Sequence, residues 1–167
     1  MLQDDELFLF TDWIFPNTIE DFRGKEILEC GSGGGQHTSF IAPYAIKITA
    51  VDLNSIDIAA ERNKSFTNIE FIDRDIATMN LGKQFDIVFS IGVVHHTDDP
   101  DKTVENLIRH VKPGGTFILN VFDKLCSPQV DFISKESISQ WFDKTGFKRV
   151  SISSYKGVTC RGSGVTW

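Results

Sequence analysis

The sequence has few cysteines and none that pair. Cys30, Cys126 and Cys160 are odd in number and widely spaced, which excludes a disulfide framework and a CxxC zinc site. Long apolar runs are also missing. The run Leu7-Phe8-Leu9-Phe10 is far short of the ~20 residues that span a bilayer. The start is acidic rather than basic, so it does not read as a signal or transit peptide. The expectation is a soluble, cytoplasmic chain with reduced thiols and no membrane partner. Positive charge is short as well: 17 Lys and Arg against 23 Asp and Glu leave −6. That argues against nucleic acid, whose phosphates need clustered cations. The deficit is local. Residues 1–29 hold eight acids against Arg23 and Lys25, and after Asp143 there is no acid at all, only Lys144, Lys148, Arg149, Lys156 and Arg161. The two ends of the chain have opposite charge.

What is present suits one domain, since 167 residues is close to the usual size of a single core. Its body is expected over residues 24–167, after an N-terminal helical and aromatic segment at 1–23. Short apolar runs alternate with helical patterns: strands at Ile27–Cys30, Ile46–Val51, Ile69–Ile72, Phe85–Ile91 and Thr116–Phe122. The fourth is apolar enough to be covered on both faces. Asn54 or Ser55 is placed to cap the helix after strand two. Asp99-Pro100 opens a later helix whose buried face is Val104, Leu107, Ile108 and Val111, and Lys112–Gly115 is a turn. Near the start, Asn17-Thr18-Ile19-Glu20 has a capping-box pattern, with Gly24 closing a short helix. A helix near Lys135–Thr145 with Ile138, Trp141 and Phe142 on one face precedes two closely linked strands, an antiparallel hairpin. The fold class is therefore α/β: a Rossmann-like, doubly wound, mostly parallel seven-stranded sheet with an antiparallel C-terminal hairpin.

The motif richest in chemistry is Glu29-Cys30-Gly31-Ser32-Gly33-Gly34-Gly35, between strand one and a helix. Such a turn exposes backbone N–H groups and lets a ligand approach without Cβ interference. The dinucleotide pattern GxGxxG fails at Gln36, which disfavours a nicotinamide-dependent oxidoreductase. The pattern acid-x-Gly-x-Gly-x-Gly fits Glu29, Gly31, Gly33 and Gly35. Asp52 ends strand two, where an acid can accept both hydroxyls of a ribose. Asp75, just past strand three, can accept the exocyclic amine of an adenine while Ile76 covers the ring. Three acids thus recur at the mouths of successive strands.

These stretches ("ILECGSGGG", "AVDLN", "IEFIDRDI", "FDIVFSIGVVHHTDDP" and "VKPGGTFIL") run in order from Ile27 to Leu119. In them the chain resembles class I S-adenosylmethionine-dependent methyltransferases, in particular the ubiquinone/menaquinone-type small-molecule group, methyltransferase type 11. The resemblance implies S-adenosylmethionine as cofactor and a small-molecule methyl acceptor. It implies that Glu29, Gly31, Ser32, Gly33 and Gly35 hold the methionine part. Asp52 with Leu53 then takes the ribose, Asp75 and Ile76 the adenine, and the Ser90–His95 turn flanks the sulfonium. The family's DNA- and amino-group-modifying members have Asn/Asp-Pro-Pro-aromatic after strand four; Ser90-Ile91-Gly92-Val93 stands here instead.

His95-His96 follows strand four. In an extended segment neighbours point apart, so a shared metal is not expected and no metal site is assigned. One of the pair, His95 for preference, faces cofactor or substrate as a candidate catalytic base; the other packs or caps the Asp98–Asp99 turn. His37 and His110 default to surface or core positions. Three pieces are left to cover the methyl: Phe8–Phe15, the loop after His96, and Phe122–Pro128. The aromatic segment either folds over the cofactor, packs on the sheet, or makes a dimer or partner contact. The competing functional reading is a non-catalytic methyltransferase-like module that binds cofactor or a protein.

Overall fold

A computed structural model describes residues 2–122, 133–155 and 159–167. The elements in order are α1 (Leu2–Trp13), β1 (Glu26–Cys30), α2 (Gln36–Ile41), β2 (Lys47–Asp52), α3 (Ile56–Arg62), β3 (Ile69–Asp73), β4 (Phe85–Ile91), α4 (Pro100–Ile108), β5 (Val111–Phe122), α5 (Lys135–Lys144), β6 (Lys148–Tyr155) and β7 (Thr159–Val165). They build one seven-stranded sheet in the order β3-β2-β1-β4-β5-β7-β6. β1 to β5 pair in parallel, and β7 runs antiparallel to both β5 and β6. The α/β class, the doubly wound parallel body and the reversed end are therefore as the alternation of patterns led us to expect. The reversal of order falls between β1 and β4, whose carboxyl ends form the crevice in which open sheets bind ligands.

Two apolar layers sandwich the sheet. One face holds Leu28, Val88, Phe117 and Leu119 with Leu107 of α4 and Ile138, Trp141 and Phe142 of α5. Gly162 and Gly164 of β7 lie directly under Phe142: a Cβ on Gly162 would stand 2.5 Å from the ring. The other face holds Ile27, Ile48, Phe89 and Ile118 with Ile41 and, from the N-terminus, Phe10, Ile14 and Phe22.

Several local expectations shift. The capping box at the N-terminus is one residue later than expected. Thr18 is the N-cap and Asp21 its reciprocal partner, its carboxylate accepting from the Thr18 N–H at 2.7 Å, while Glu20 pairs with Arg23. Lys112–Gly115 lies inside β5 as a bulge, because the ladder steps from Phe85↔Val111 to Ile87↔Thr116. Val111 accordingly belongs to β5, not to α4, which ends at Ile108. The Phe122–Pro128 piece and Cys126 fall almost wholly outside the described residues.

The oppositely charged ends meet. Arg161 of β7 pairs with Asp12 of α1 at 2.9 Å, both side chains largely buried, and Asn17 donates to Ser163 Oγ at 2.8 Å. The aromatic helix is thus clasped against the sheet by residues almost a chain length away.

Candidate functional site

The glycine loop leaves β1 under tight backbone control. Gly31 and Ser32 donate their N–H groups to the Val51 carbonyl at 2.8 and 3.1 Å, and the Gly35 N–H closes the turn on Ser32 at 2.8 Å. Gly31, Gly33 and Gly35 all have positive φ. A Cβ on Gly33 would meet nothing within 4 Å, so open space faces that residue. Gly35 is closed in by α3 instead: Asn63 donates to its carbonyl at 2.7 Å, and Ala59 lies within 2.9 Å of where a Cβ would stand.

Asp52 ties this loop to β2. One carboxylate oxygen accepts from the Gly33 N–H at 2.8 Å, the other from the Asn54 and Ser55 N–H groups at 3.1 and 3.0 Å. Asp52, not the side chain of Asn54 or Ser55, therefore caps the entry to α3. Asp75 behaves similarly. It accepts from the Ala77 N–H at 2.8 Å, and Asn106 of α4 holds the same loop by donating to the Ile76 and Met79 carbonyls at 3.0 Å each.

Gly31, Asp52, Leu53, Asp75 and Ile76 converge on one cleft of about 540 Å³, closed on its other side by Val93, His96, Lys102 and Thr103. A cavity of about 580 Å³ near Lys83, Arg109 and His110 lies by the start of β4, away from the glycine loop. In an open α/β sheet the cleft at the carboxyl ends is the ligand site.

The remaining expected residues stand behind this lining. Glu29 is buried, with Thr38 of α2 donating to its Oε2 at 2.5 Å and Oε1 unpartnered. Burial pushes its carboxyl up to about 8, more than the Thr38 bond lowers it, with the charge of Asp52 adding to the rise. Ser32 is also buried, its Oγ unpartnered. Ser90 does not reach the cleft: its hydroxyl donates to the Cys30 carbonyl at 2.9 Å and ties β4 to β1.

The histidines differ from expectation. Val94–His96 is a turn of 3₁₀ helix, not an extended segment. His95 and His96 consequently lie side by side, ring centroids 4.1 Å apart. His95 turns inward, 1% exposed, and it is His96 that lines the cleft. Burial, then the neighbouring His96, lowers His95 to about 4, which makes it a weak base at neutral pH. Among the described residues, no group of three or more His, Cys, Asp or Glu side chains converges as a metal site.

Glu29 has a measurable signature. An acid raised from 4.5 to about 8 by folding stabilises the fold fully below pH 4.5 and loses that contribution as pH rises through 8. The unfolding free energy of the ligand-free protein, from urea titrations, should fall between pH 5 and 8 by on the order of a few kcal/mol. Glu29→Gln, which keeps an acceptor for Thr38, should flatten the profile; an unchanged slope would mean the group is already ionised at neutral pH.

Thr38, Asn63 and Asn106, polar groups that hold Glu29 and the loops from neighbouring elements, are not singled out by sequence reasoning, and His96, expected to pack or cap the Asp98–Asp99 turn, lines the cleft instead. Only Asn106 had a signal, a polar residue between the apolar positions Val104 and Leu107. His37, expected at a surface or core position, and Trp13, within the Phe8–Phe15 segment, both border a smaller cavity beside Gly92.

The sheet order, the reversed final hairpin and the glycine-floored cleft together define the Rossmann-like methyltransferase fold. Comparison with known proteins agrees. A family model described as "Methyltransferase domain" matches residues 28–119, more than half the chain. The chain belongs to this family, the type 11 group of class I S-adenosylmethionine-dependent methyltransferases, and S-adenosylmethionine is its cofactor. The ubiquinone biosynthesis O-methyltransferase of Coxiella burnetii (strain Dugway 5J108-111) is 25% identical over 157 residues, covering 78% of this chain and 67% of the relative. That of Rickettsia canadensis (strain McKiel) is 27% identical over 128 residues, covering 74% and 54%. The chain thus spans between half and two thirds of these relatives. The N-methyltransferase NodS from Bradyrhizobium japonicum WM9, solved with S-adenosyl-L-homocysteine, superposes with TM-score 0.77 at 16% identity, covering 99% of this chain and 86% of that one. The CurJ carbon methyltransferase gives 0.73 at 18%, covering 87% and 49%. At those identities the likeness is one of fold. No helix among the described residues is long and apolar enough to cross a membrane.

Proposed function

We propose that this chain transfers the methyl group of S-adenosylmethionine to a small-molecule acceptor, with the cleft between β1, β2 and β4 as the cofactor site. The observation that supports this most is the convergence of Gly31, Asp52, Leu53, Asp75 and Ile76 on one cleft, with open space over Gly33. Two buried polar atoms without partners, Glu29 Oε1 and Ser32 Oγ, sit behind the same loop. They suit the ammonium and carboxylate of the methionine part.

When bound, the cofactor supplies a methyl already activated by its sulfonium. The chain then has to align and to exclude water, which accounts for the scarcity of acid–base machinery. Asp52 has one lone-pair site left, on the oxygen bonded to Gly33, for a ribose hydroxyl after its bonds to Gly33, Asn54 and Ser55. Asp75 has the same capacity for an adenine amine, and the buried Ile76 offers an apolar cover. His95 acts on this reading by filling space under the turn, not as a base. An oxygen nucleophile is the finer proposal, supported by the Coxiella and Rickettsia relatives being O-methyltransferases.

Calorimetry with S-adenosylmethionine and S-adenosylhomocysteine tests the cofactor site. The wild type should bind both, and Asp52→Ala should lose roughly 100-fold, about the upper value of one charge-assisted hydrogen bond. If the wild type binds neither nucleoside, the reading is wrong. A methylation assay over a small-molecule panel then separates an enzyme from a module that only binds.

A further inference from the structure

A second cavity, of about 350 Å³, lies between α1 and the carboxyl end of β4. We propose that it holds the methyl acceptor, and that the acceptor is an uncharged planar aromatic ring. The proposal rests on the reading of the neighbouring cleft as the cofactor site.

Position is the first argument. Gly92 lines this cavity and Val93, the next residue, lines the cofactor cleft. Likewise His37, in the first turn of α2 just after the glycine loop, lines this cavity, while Gly31, near the start of that loop, lines the cleft. The two spaces thus flank the same two segments, the glycine loop with the start of α2 and the turn after β4. Gly92 contributes no side chain that would separate them.

The walls are the second argument. Trp13 stands edge-on to the His37 imidazole, centroids 5.8 Å apart and planes at 81°. The buried Phe10 stacks on the same imidazole at 5.1 Å and 20°, which fixes its plane. Two rings at right angles make a corner in which a third flat ring can meet one face and one edge, the preferred aromatic geometries. Leu9 and Ile91 add apolar wall, with Gln36 as an uncharged polar group among them, and the volume is in the range of pockets that take small ligands.

Charge is the third. Among the described residues the cavity has no Lys or Arg, and its one carboxylate is Glu6, exposed at the edge. Burial lowers His37 to about 4, so it brings no positive charge at neutral pH. A carboxylate or phosphate on the acceptor would find no counter-ion here and would face Glu6.

The test uses the full chain saturated with S-adenosylhomocysteine, titrated calorimetrically with 2-naphthol and, separately, 6-hydroxy-2-naphthoate. The neutral naphthol should bind, and the carboxylate about tenfold more weakly. Leu9→Trp fills the cavity from an exposed position without disturbing the core. It should weaken 2-naphthol about tenfold, as should Trp13→Ala, with nucleoside affinity unchanged in both. Glu6→Lys should close the gap between the two probes. Absence of naphthol binding, equal affinity for both probes, or indifference to Leu9→Trp and Trp13→Ala would overturn the proposal. The same titrations without nucleoside read the cavity alone. A wild type that takes 2-naphthol but no nucleoside therefore counts against the cofactor cleft, not against this cavity.

Discussion

Gly31→Ala is expected to abolish useful cofactor binding, with a loss of about two orders of magnitude, and to lower stability as well. Gly31 has φ +83, and a Cβ there would stand 2.4 Å from Val93 Cγ2 and 2.6 Å from Cγ1. Neither side can yield easily. The loop is held by the bonds from the Gly31 and Ser32 N–H groups to the Val51 carbonyl, and Val93 is fixed by the turn that follows β4. An L-residue in the left-handed region adds about 1–2 kcal/mol to the clash. Gly33→Ala is the control. With φ +50 and no protein atom within 4 Å, it should lower stability by the backbone cost alone, about 1–2 kcal/mol, while its methyl would weaken binding separately by facing the open space of the cofactor site. Combining Gly31→Ala with Val93→Ala should recover only part of the loss, because the Val93 Cβ itself would still be 2.9 Å away. Calorimetry on the three variants decides. Equal losses of thermal stability in Gly31→Ala and Gly33→Ala would show that backbone conformation alone, not close packing of the two loops, demands glycine.

The largest expected effect on stability is Phe10→Ala, at about 3–5 kcal/mol, the usual cost of truncating a buried phenylalanine. Phe10 is 0% exposed although it lies on the N-terminal helix. Its ring sits 5.1 to 6.3 Å from the rings of His37, Phe22, Phe40 and Phe89, which come from three other parts of the chain. Removing it leaves a void those rings cannot all close. Against a total of roughly 5–15 kcal/mol for a domain, the midpoint of thermal unfolding should fall by about 10 °C. A loss below about 1 kcal/mol would mean that α1 detaches before the core melts. The Arg161–Asp12 pair argues against early detachment, since it joins α1 to β7 from largely buried positions.

Much of this was legible in the chain. The strands are short apolar runs that need no distant partner to be recognised. The glycines are demanded by a strand-to-helix turn whose φ values are local. Asp99-Pro100 and Gly146 mark helix ends by effects confined to one turn: Asp99 accepts the Lys102 N–H at 3.0 Å, and Gly146 has φ +73. The three acids at the strand mouths were visible as a spacing, and Asp52 and Asp75 do meet in one cleft. The aromatic segment was read with three outcomes open. Leu7, Phe10 and Ile14 recur at helical intervals, and the sheet face takes up that stripe: Phe10 and Ile14 are buried in the core, while Phe8 and Phe15 remain 64% and 52% exposed. Within Phe8–Phe15, Phe10 and Ile14 thus pack on the sheet, while Leu9 and Trp13 border the cavity beside Gly92.

By itself the sequence determined the order and kind of the strands, the glycine loop and the charges that ring it. Each of these follows from interactions within a few residues along the chain. Tertiary structure alone decided which histidine reaches the cleft, because a 3₁₀ turn replaced an extended one. It also decided that Asp52 and Asp75 double as loop clamps. The state of Glu29 and His37 was likewise out of reach, since their shifts come from burial, and burial depends on everything packed around them. The opposite charges of the two ends were plain in the composition. That they meet, at Asp12 and Arg161, is a fact of the folded sheet, which brings residues 149 positions apart into contact.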